Sequence, residues 1–314
     1  MTGGAGFIGS HLAEALAPHA SRLILLDNLS AGRLESVQPL LDTGRAIFLR
    51  GDLLESDLGD TLRGIDVVVH AAANPDVRLG ETDALVHFEQ NVLATAELLQ
   101  EMDAAGAREI AFLSTSAVYG DAAVLPTPED YRPMRPISLY GASKLAAEGL
   151  LEAWACRGNR RAVVFRFANV VGGRATHGVI PDFVRKLRAN PAELEILGAP
   201  PGTTKSYVHI EDCLSAILAG MERAEGPFAV YNIASEGQTS VAQIADAVCR
   251  AMGLQDVRYR WTGGVDGGRG WKGDVWNMAL AIGKLRAVGW SPRMNSDAAV
   301  NVAVREAAAA LNVS

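Results

Sequence analysis

The sequence has few cysteines and no long apolar segment. Its three cysteines, Cys156, Cys213 and Cys249, lie far apart and form no C-x-x-C pair. This spacing fits no metal-ligand pattern, so no metal site is predicted, and the odd count suits buried thiols in a reducing compartment. No apolar run approaches the ~20 residues that a membrane helix needs, and no charged and apolar leader precedes the first glycines. We therefore expect a cytoplasmic protein without a membrane partner.

Basic residues are also scarce. The 314 residues include 29 lysines and arginines against 36 aspartates and glutamates, which gives a formal net charge of -7. Because binding to nucleic acid requires a basic surface, we expect no nucleic-acid partner, although a local basic pocket remains compatible with this balance. Hydrophobic residues make up 49% of the chain. That is enough for the core of one large domain or of two smaller ones.

Glycine, in contrast, is concentrated at the start of the chain. Gly3, Gly6 and Gly9 follow the pattern T-G-x-x-G-x-x-G, and a helix is predicted to begin near Phe7 and Ile8. Glycines at this spacing allow a tight turn, a close approach of the backbone to a pyrophosphate and close packing of the helix on a sheet. The positive end of the helix would then face the phosphates. A glycine turn without a nucleotide is the alternative interpretation.

Asp27 strengthens the nucleotide interpretation. It follows the apolar run 23–26 and comes eighteen residues after Gly9. A carboxylate at this place can accept hydrogen bonds from the adenosine ribose and would repel a 2′-phosphate, so we predict NAD rather than NADP. The alternative is that Asp27 only ends a strand or caps a helix. The polar turn that follows would reach the adenosine end of the cofactor through Asn28, Ser30 and Gly32.

Further strand ends supply more candidate cofactor contacts. Asp52 comes after the run 46–50, where it would accept from the adenine amino group; a helix cap before residues 57–63 is an equal alternative. The alanines after the run 66–70 are small enough for a dinucleotide to lie against the backbone, whereas His70 itself is predicted to be structural. The candidates at these strand ends are Asp52, Leu53, Ala71, Ala72, Ala73 and Ser114.

The first half of the chain alternates between apolar runs and amphipathic segments. Strands are predicted at 23–27, 46–50, 66–70, 110–114 and 162–167, and the intervening helices at 7–17, 57–63, 83–105 and 138–157. This alternation predicts an α/β fold with a Rossmann-type, doubly wound parallel sheet. We expect a cofactor-binding domain over residues 1–170 and a smaller C-terminal substrate-binding lobe over 171–314, with some segments returning to the sheet.

The start of the chain conflicts with this fold. A nucleotide-binding βαβ unit needs a central strand before its glycine loop, but only Met1 and Thr2 precede Gly3. Without that strand, its neighbours would keep unpaired backbone groups. We therefore expect the native chain to begin several apolar residues earlier, which upstream in-frame DNA or the intact mass of the natural protein would test.

Tyr140 and Lys144 form the second informative motif. Four residues apart on a helix, the phenol and the ammonium lie on one face. The pKa of a free tyrosine is ~10, and an adjacent lysine together with the positive nicotinamide ring would favour the phenolate and create a base for neutral pH. Thr115, at the end of the preceding strand, would share the proton on a substrate oxygen.

Taken together, these motifs resemble the extended short-chain dehydrogenase/reductase family and its NAD-dependent epimerase/dehydratase branch. The similarity covers nearly the whole chain and is closest to the UDP-glucose 4-epimerases of the compact archaeal type, through the segments 73–78 and 269–275. The resemblance implies that Thr115, Tyr140 and Lys144 are catalytic and that Phe167 lies near the nicotinamide. It also implies a homodimer built from the long helices 83–105 and 138–157, and a UDP-sugar bound by Asn169, Lys205, Arg269 and Met278.

Some positions depart from the family pattern. The frame that usually reads R-x-G-D is Trp271-Lys272-Gly273-Asp274 here, so either Arg269 or Lys272 would contact the diphosphate. Related dehydratases and decarboxylases carry carboxylates after the catalytic threonine, but Ser116 and Ala117 follow Thr115. The resemblance therefore implies transient oxidation at the sugar carbon C4, interconverting UDP-glucose and UDP-galactose.

Several alternatives stay open at this point. The substrate could be UDP-N-acetylglucosamine or UDP-glucuronate, because the methionine at 278 is flexible and of intermediate size. The same residues could serve a dehydrogenase or reductase that exchanges its cofactor in each turn. A non-catalytic NAD-binding regulator is a third alternative, since the fold does not determine function.

Overall fold

The computed structural model describes residues 1–310. Its helices are α1 (Phe7–Leu16), α2 (Gln38–Asp42), α3 (Gly59–Leu62), α4 (Ala94–Ala105), α5 (Leu139–Ala155), α6 (Val179–Ala189), α7 (Ile210–Arg223), α8 (Val241–Ala251), α9 (Gly283–Ala287) and α10 (Ser296–Ala310). Its strands are β1 (Ile24–Asp27), β2 (Ile47–Arg50), β3 (Val67–His70), β4 (Glu109–Thr115), β5 (Arg161–Phe167), β6 (Asn169–Val171), β7 (Glu193–Ile196), β8 (Thr204–Lys205), β9 (Tyr207–His209), β10 (Phe228–Ile233), β11 (Thr239–Ser240), β12 (Arg258–Trp261) and β13 (Asn277–Met278).

These elements form two units. Unit 1 comprises Met1–Val118, Leu139–Arg166 and Ile217–Tyr231, and unit 2 comprises Tyr119–Ser138, Phe167–Ala216 and the chain from Asn232 onward. The chain therefore passes between the units several times, because segments from its second half complete the sheet of unit 1. That residues 1–170 and 171–314 bind different ligands stays a prediction.

The sheet of unit 1 is arranged around Thr2. This residue bridges Leu26 of β1 and His70 of β3, both in parallel, so the order across the sheet is β2-β1-Thr2-β3-β4-β5-β10. The pairs β1·β2 and β3·β4 are parallel. The arrangement confirms the predicted α/β fold of the Rossmann type. Thr2 stands in the central position, where its N–H donates to the Val69 carbonyl at 2.9 Å and its carbonyl accepts from Ala71 at 3.1 Å.

The predicted helix 83–105 is too long at its start. Residues Val77–Glu81 form a 3-10 turn and Phe88–Leu93 a π-helical turn, and the regular helix α4 begins only at Ala94. The Asp83 carboxylate accepts from the N–H groups of Leu85 and Val86 at 3.0 and 3.3 Å. These bonds resemble a helix N-cap, and the chain is indeed helical from Val86, but its backbone is π-helical over Phe88–Leu93 before the regular helix α4.

Each unit contains a cluster of buried apolar side chains. In unit 1, one cluster joins the faces of α4 and α5 to the strands; its members include Phe112, Leu98, Met102, Leu151 and Trp154. In unit 2, α6, α8 and α10 pack around Phe183, Leu187, Val248 and Val300, beside the parallel pairs β6·β9 and β7·β12. Among residues 1–310, every helix is too short or too polar to cross a membrane.

The cysteines only partly follow the prediction. Cys213 and Cys249 are buried as expected, but Cys156 is exposed. It comes directly after Ala155, the last residue of α5.

Candidate functional site

The glycine loop packs so tightly that side chains are excluded. Gly3 has a φ of +66°, and a Cβ there would lie 2.6 Å from the Ala72 nitrogen. A Cβ on Gly9 would lie 2.0 Å from the Gly3 carbonyl oxygen. Both positions therefore require glycine, which brings the start of α1 against the loop and the loop against the backbone after β3.

Helix α1 begins at Phe7 with its amino end open. Gly6 precedes it with extended backbone, and within the described chain no side chain caps the helix. The N–H groups of the first turn, which includes Ile8, can therefore donate to a ligand, and the helix dipole favours an anion there. The glycine loop and the amino end of α1 together fit a pyrophosphate.

Asp27 lies at the end of β1, directly beside this loop. Its carboxylate accepts from the N–H of Ala5 at 3.0 Å and from that of Leu29 at 2.8 Å. A carboxylate has about four acceptor positions, so two remain for ribose hydroxyls. A Cβ on Gly32 would lie 2.8 Å from the Asp27 carboxylate. Gly32 therefore packs directly against this carboxylate, and a side chain has no room there.

Asn28 and Asp52 are joined across neighbouring strand ends. Asn28 donates from Nδ2 to Asp52 at 2.7 Å, and its Oδ1 accepts from the N–H of Ser30 at 2.9 Å. Asp52 also accepts from the N–H of Leu54 at 3.0 Å, next to the half-buried Leu53. The alternative of a helix cap is wrong, because α3 begins at Gly59 and the N–H of Gly59 donates to the carboxylate of Asp57, at 3.0 Å, and not to Asp52.

Strand β3 ends in a buried histidine, and three small residues follow it on the chain. His70 is 1% exposed; its Nδ1 is 2.7 Å from the Thr2 hydroxyl and its Nε2 is 3.0 Å from that of Thr95. Burial, together with the charge of Lys144, lowers the pKa of His70 to about 3, so the ring stays neutral. This confirms a structural histidine. The half-buried alanines 71–73 follow on the chain.

Tyr140 lies in the first turn of α5 and is hydrogen-bonded to Thr115 at the end of β4. Both side chains are half-buried. Burial raises the pKa of Tyr140 to about 12, and the bond with Thr115 offsets only part of this effect. Within the chain alone, desolvation therefore dominates, and the lowering of the pKa that is predicted for Tyr140 beside both Lys144 and the nicotinamide stays a prediction.

Lys144 lies one turn further along α5 and is 2% exposed. Its ammonium donates to the carbonyl of Leu113 at 2.8 Å and lies 4.4 Å from the centre of the Phe112 ring. Burial lowers the pKa of Lys144 to about 7, against the opposing charge of Glu148. Burial therefore makes the charged form of Lys144 less favourable than that of a free lysine.

Several buried residues that the sequence argument did not identify hold α5 in place. The Glu148 carboxylate accepts from the Ser114 hydroxyl at 2.5 Å and from the Arg166 guanidinium at 2.6 to 3.1 Å. The hydroxyl of Ser114 is used in this bond, and that Ser114 contacts the cofactor stays a prediction. In the π-helical turn, Asn91 donates to the Ser143 hydroxyl at 2.9 Å, which in turn donates to the Tyr140 carbonyl at 2.8 Å.

In unit 2, Phe167 and Asn169 stand where β5 ends and β6 begins. Phe167 is 6% exposed. The side chain of Asn169 is hydrogen-bonded to the hydroxyl of Tyr207, whose pKa is raised by burial and by the charge of Asp274. Tyr207, which the sequence argument missed, therefore links the predicted Asn169 to the turn around Asp274.

The two predicted cations of unit 2 are both paired with carboxylates. Lys205 contacts Asp274 at 2.5 Å, and their side chains are 13% and 2% exposed. Arg269 contacts both carboxylate oxygens of Asp121, at 3.1 and 2.8 Å, and also donates to the Asp274 carbonyl. Lys205 on β8 and Arg269 in the turn 269–274 therefore both bond to Asp274, and each cation has a carboxylate partner.

Met278 lies on the strand next to this turn. It is 5% exposed and pairs with Lys205 in the parallel register of β13 and β8. Residues 1–310 contain no group of three or more His, Cys, Asp or Glu side chains that could hold a metal ion.

The chain matches known proteins over most of its length. The model of the NAD dependent epimerase/dehydratase family matches residues 1–234. The UDP-glucose 4-epimerase of Streptomyces lividans is 30% identical over 270 residues, which cover 81% of this chain and 80% of that protein.

Solved structures are similar over almost the whole chain. A crystal structure of a UDP-galactose 4-epimerase has a TM-score of 0.87 and 41% identity, and covers 99% of this chain and 98% of its own. MoeE5 in complex with UDP-glucose and NAD has a TM-score of 0.85 and 29% identity, and covers 99% of this chain and 98% of its own. MoeE5 has also been solved with UDP-glucuronic acid.

Proposed function

We propose, from the premise that the chain belongs to the NAD dependent epimerase/dehydratase family, that it interconverts UDP-glucose and UDP-galactose by transient oxidation at the sugar carbon C4. The family membership confirms the resemblance inferred from the motifs and NAD as the cofactor. The observation that carries the proposal is the hydrogen bond between Tyr140 and Thr115, with Lys144 one turn away.

Unit 1 has the shape and the donors that NAD requires. The glycine loop and the open end of α1 would hold the pyrophosphate, and Asp27 would accept from the adenosine ribose. Asn28 and Asp52 would lie at the adenine end. The chemistry that NAD supplies when bound is the reversible oxidation of an alcohol carbon.

Tyr140 would take the proton of the sugar 4-hydroxyl and return it later. Since its pKa is about 12, ionisation at neutral pH requires about 7 kcal/mol of added stabilisation, at ~1.4 kcal/mol for each pKa unit. Lys144 and Thr115 already act within this value, so the positive charge of the oxidised nicotinamide would supply the added stabilisation, and the Thr115 hydroxyl would donate to the developing phenolate.

Unit 2 would bind the nucleotide sugar. Lys205 and Arg269 would contact the diphosphate; Arg269 is favoured over Lys272 because its guanidinium already lies at the turn around Asp274. Asn169 and Met278 would border the sugar. To bind the diphosphate, the cations must exchange carboxylate oxygens for phosphate oxygens, which have similar geometry.

The decisive variant is Tyr140→Phe, which removes the phenolic oxygen and keeps the ring. We expect the conversion of UDP-glucose to UDP-galactose to be lost, while NAD stays bound. Tyr259→Phe, the same substitution on β12 of unit 2, is the control and should keep full activity. Unchanged turnover in Tyr140→Phe would refute the proposal.

The choice of sugar needs a direct test, since MoeE5 binds both UDP-glucose and UDP-glucuronic acid. The protein would be incubated separately with UDP-glucose, UDP-N-acetylglucosamine and UDP-glucuronate, and the products separated by chromatography. We expect the 4-epimer of UDP-glucose to form fastest. Net production of NADH during turnover would instead support a dehydrogenase.

An apolar surface on unit 1 supports a homodimer. Side chains on the π-helical turn, on the segment before it and on α5 are 36% to 64% exposed; they are Leu85, Phe88, Leu93, Leu139 and Leu150. Exposed apolar groups of this size commonly mark an interface. We propose that two copies pair their π-helical turns and α5 helices through this surface.

A further inference from the structure

The turn 269–274 contains a buried hydrogen-bond donor without an acceptor. The indole nitrogen Nε1 of Trp271 is enclosed, and it makes no hydrogen bond within residues 1–310. A donor that has lost water without gaining another partner is unfavourable, and native structures contain few such groups. This N–H therefore points to an acceptor that comes from outside the chain.

The surroundings of Trp271 show what kind of acceptor would suit it. The Lys205 ammonium lies 5.6 Å from the centre of the Trp271 ring, and Arg269 belongs to the same turn. Both cations are bound to carboxylates, Lys205 to Asp274 and Arg269 to Asp121. If a ligand displaced these carboxylates, the ammonium over the ring, the guanidinium two residues before Trp271 and the indole N–H would form a donor set that fits an anion with several oxygens.

We propose that the Trp271 indole N–H donates a hydrogen bond to the diphosphate of the bound nucleotide, together with Lys205 and Arg269. The inference rests on the proposed function, in which unit 2 binds a UDP-sugar. An uncharged donor adds direction to the contact without adding charge. The diphosphate can then be held firmly while Asp274 and Asp121 keep the turn close to neutral.

The test is Trp271→Phe in the full-length protein with NAD bound. This variant loses the N–H but keeps an aromatic ring, and binding of UDP and of uridine would be measured by calorimetric titration and by competition. We expect UDP to bind about tenfold more weakly, the usual effect of losing a hydrogen bond to a charged acceptor. Uridine should bind as before because it has no phosphate.

Two further variants keep the test decisive. Trp261→Phe on β12 makes the same substitution elsewhere in unit 2 and should leave UDP binding unchanged. Trp271→Gln restores an N–H donor and should bind UDP more tightly than Trp271→Phe. Equal melting temperatures without UDP would show that the variants are folded.

The results that would refute the Trp271 contact differ from those that would refute the proposed function. If Trp271→Phe binds UDP like the wild type, or loses UDP and uridine affinity equally, the contact with the diphosphate is refuted. If the wild-type protein itself does not bind UDP, the proposed function fails and the inference fails with it.

Discussion

Replacing Glu148 by glutamine should destabilise the protein strongly. The carboxylate is 4% exposed and faces the Arg166 guanidinium, which is 3% exposed, with contacts of 2.6 to 3.1 Å. It also accepts from the Ser114 hydroxyl at 2.5 Å. The amide keeps the shape of the side chain but removes the charge that balances the buried guanidinium.

The expected loss follows from this burial. Removing one partner of a buried ion pair costs about 3–5 kcal/mol, and the total stability of a folded protein is about 5–15 kcal/mol. Urea unfolding followed by circular dichroism would measure the change. The control is Glu152→Gln on the next turn of α5, where the side chain is exposed and a change below about 0.5 kcal/mol is expected.

A companion variant separates charge from packing. Replacing both partners, by Glu148→Leu with Arg166→Met, removes the two buried charges together and should recover most of the loss. If Glu148→Gln costs less than about 1 kcal/mol, the pair does not hold α5 against β5 as the structure indicates, and the reasoning is refuted.

Three other variants test separate features. Gly9→Ala should weaken NAD binding at least ~tenfold, because the new Cβ would lie 2.0 Å from a carbonyl oxygen. Calorimetric titration would measure the affinity. Gly149→Ala is the control, because nothing lies within 4 Å of a Cβ at that position. Burial lowers the pKa of Lys144 from 10.5 to about 7, so the cost of burying its charge is largest below pH 7 and fades as the pH rises. Lys144→Met should therefore stabilise the nucleotide-free protein against urea by about 2–3 kcal/mol more at pH 6 than at pH 9, and equal gains would contradict this. Phe88→Glu should give a monomer in light scattering; a persisting dimer would exclude the proposed surface.

Strands β1 to β5 were predictable because each is a short, largely apolar run, buried in all of them except β2. All five predicted strands agree with β1 to β5 within one residue at each end. The glycine positions were also predictable, since Gly3 and Gly9 meet backbone atoms of the loop itself or of the segment after β3. Such signals are local in sequence or belong to a recurrent motif.

Contacts between distant segments were not predictable. Glu148 and Arg166 are brought together with Ser114 only when α5 packs on β4 and β5, and Lys205 meets Asp274 across 69 positions of sequence. The pKa of Tyr140 depends on how closely the folded chain encloses its hydroxyl. A sequence pattern gives the spacing of Tyr140 and Lys144 but not this enclosure.

The exposed Cys156 is a suitable attachment site for a spectroscopic label. Of the three cysteines only this one is exposed, so a thiol-reactive fluorophore would attach there without any need to remove the others. The label would sit just past the far end of the helix whose first turn carries Tyr140. Ligand-dependent changes in its emission would then report movements of that helix in the native, otherwise unmodified enzyme.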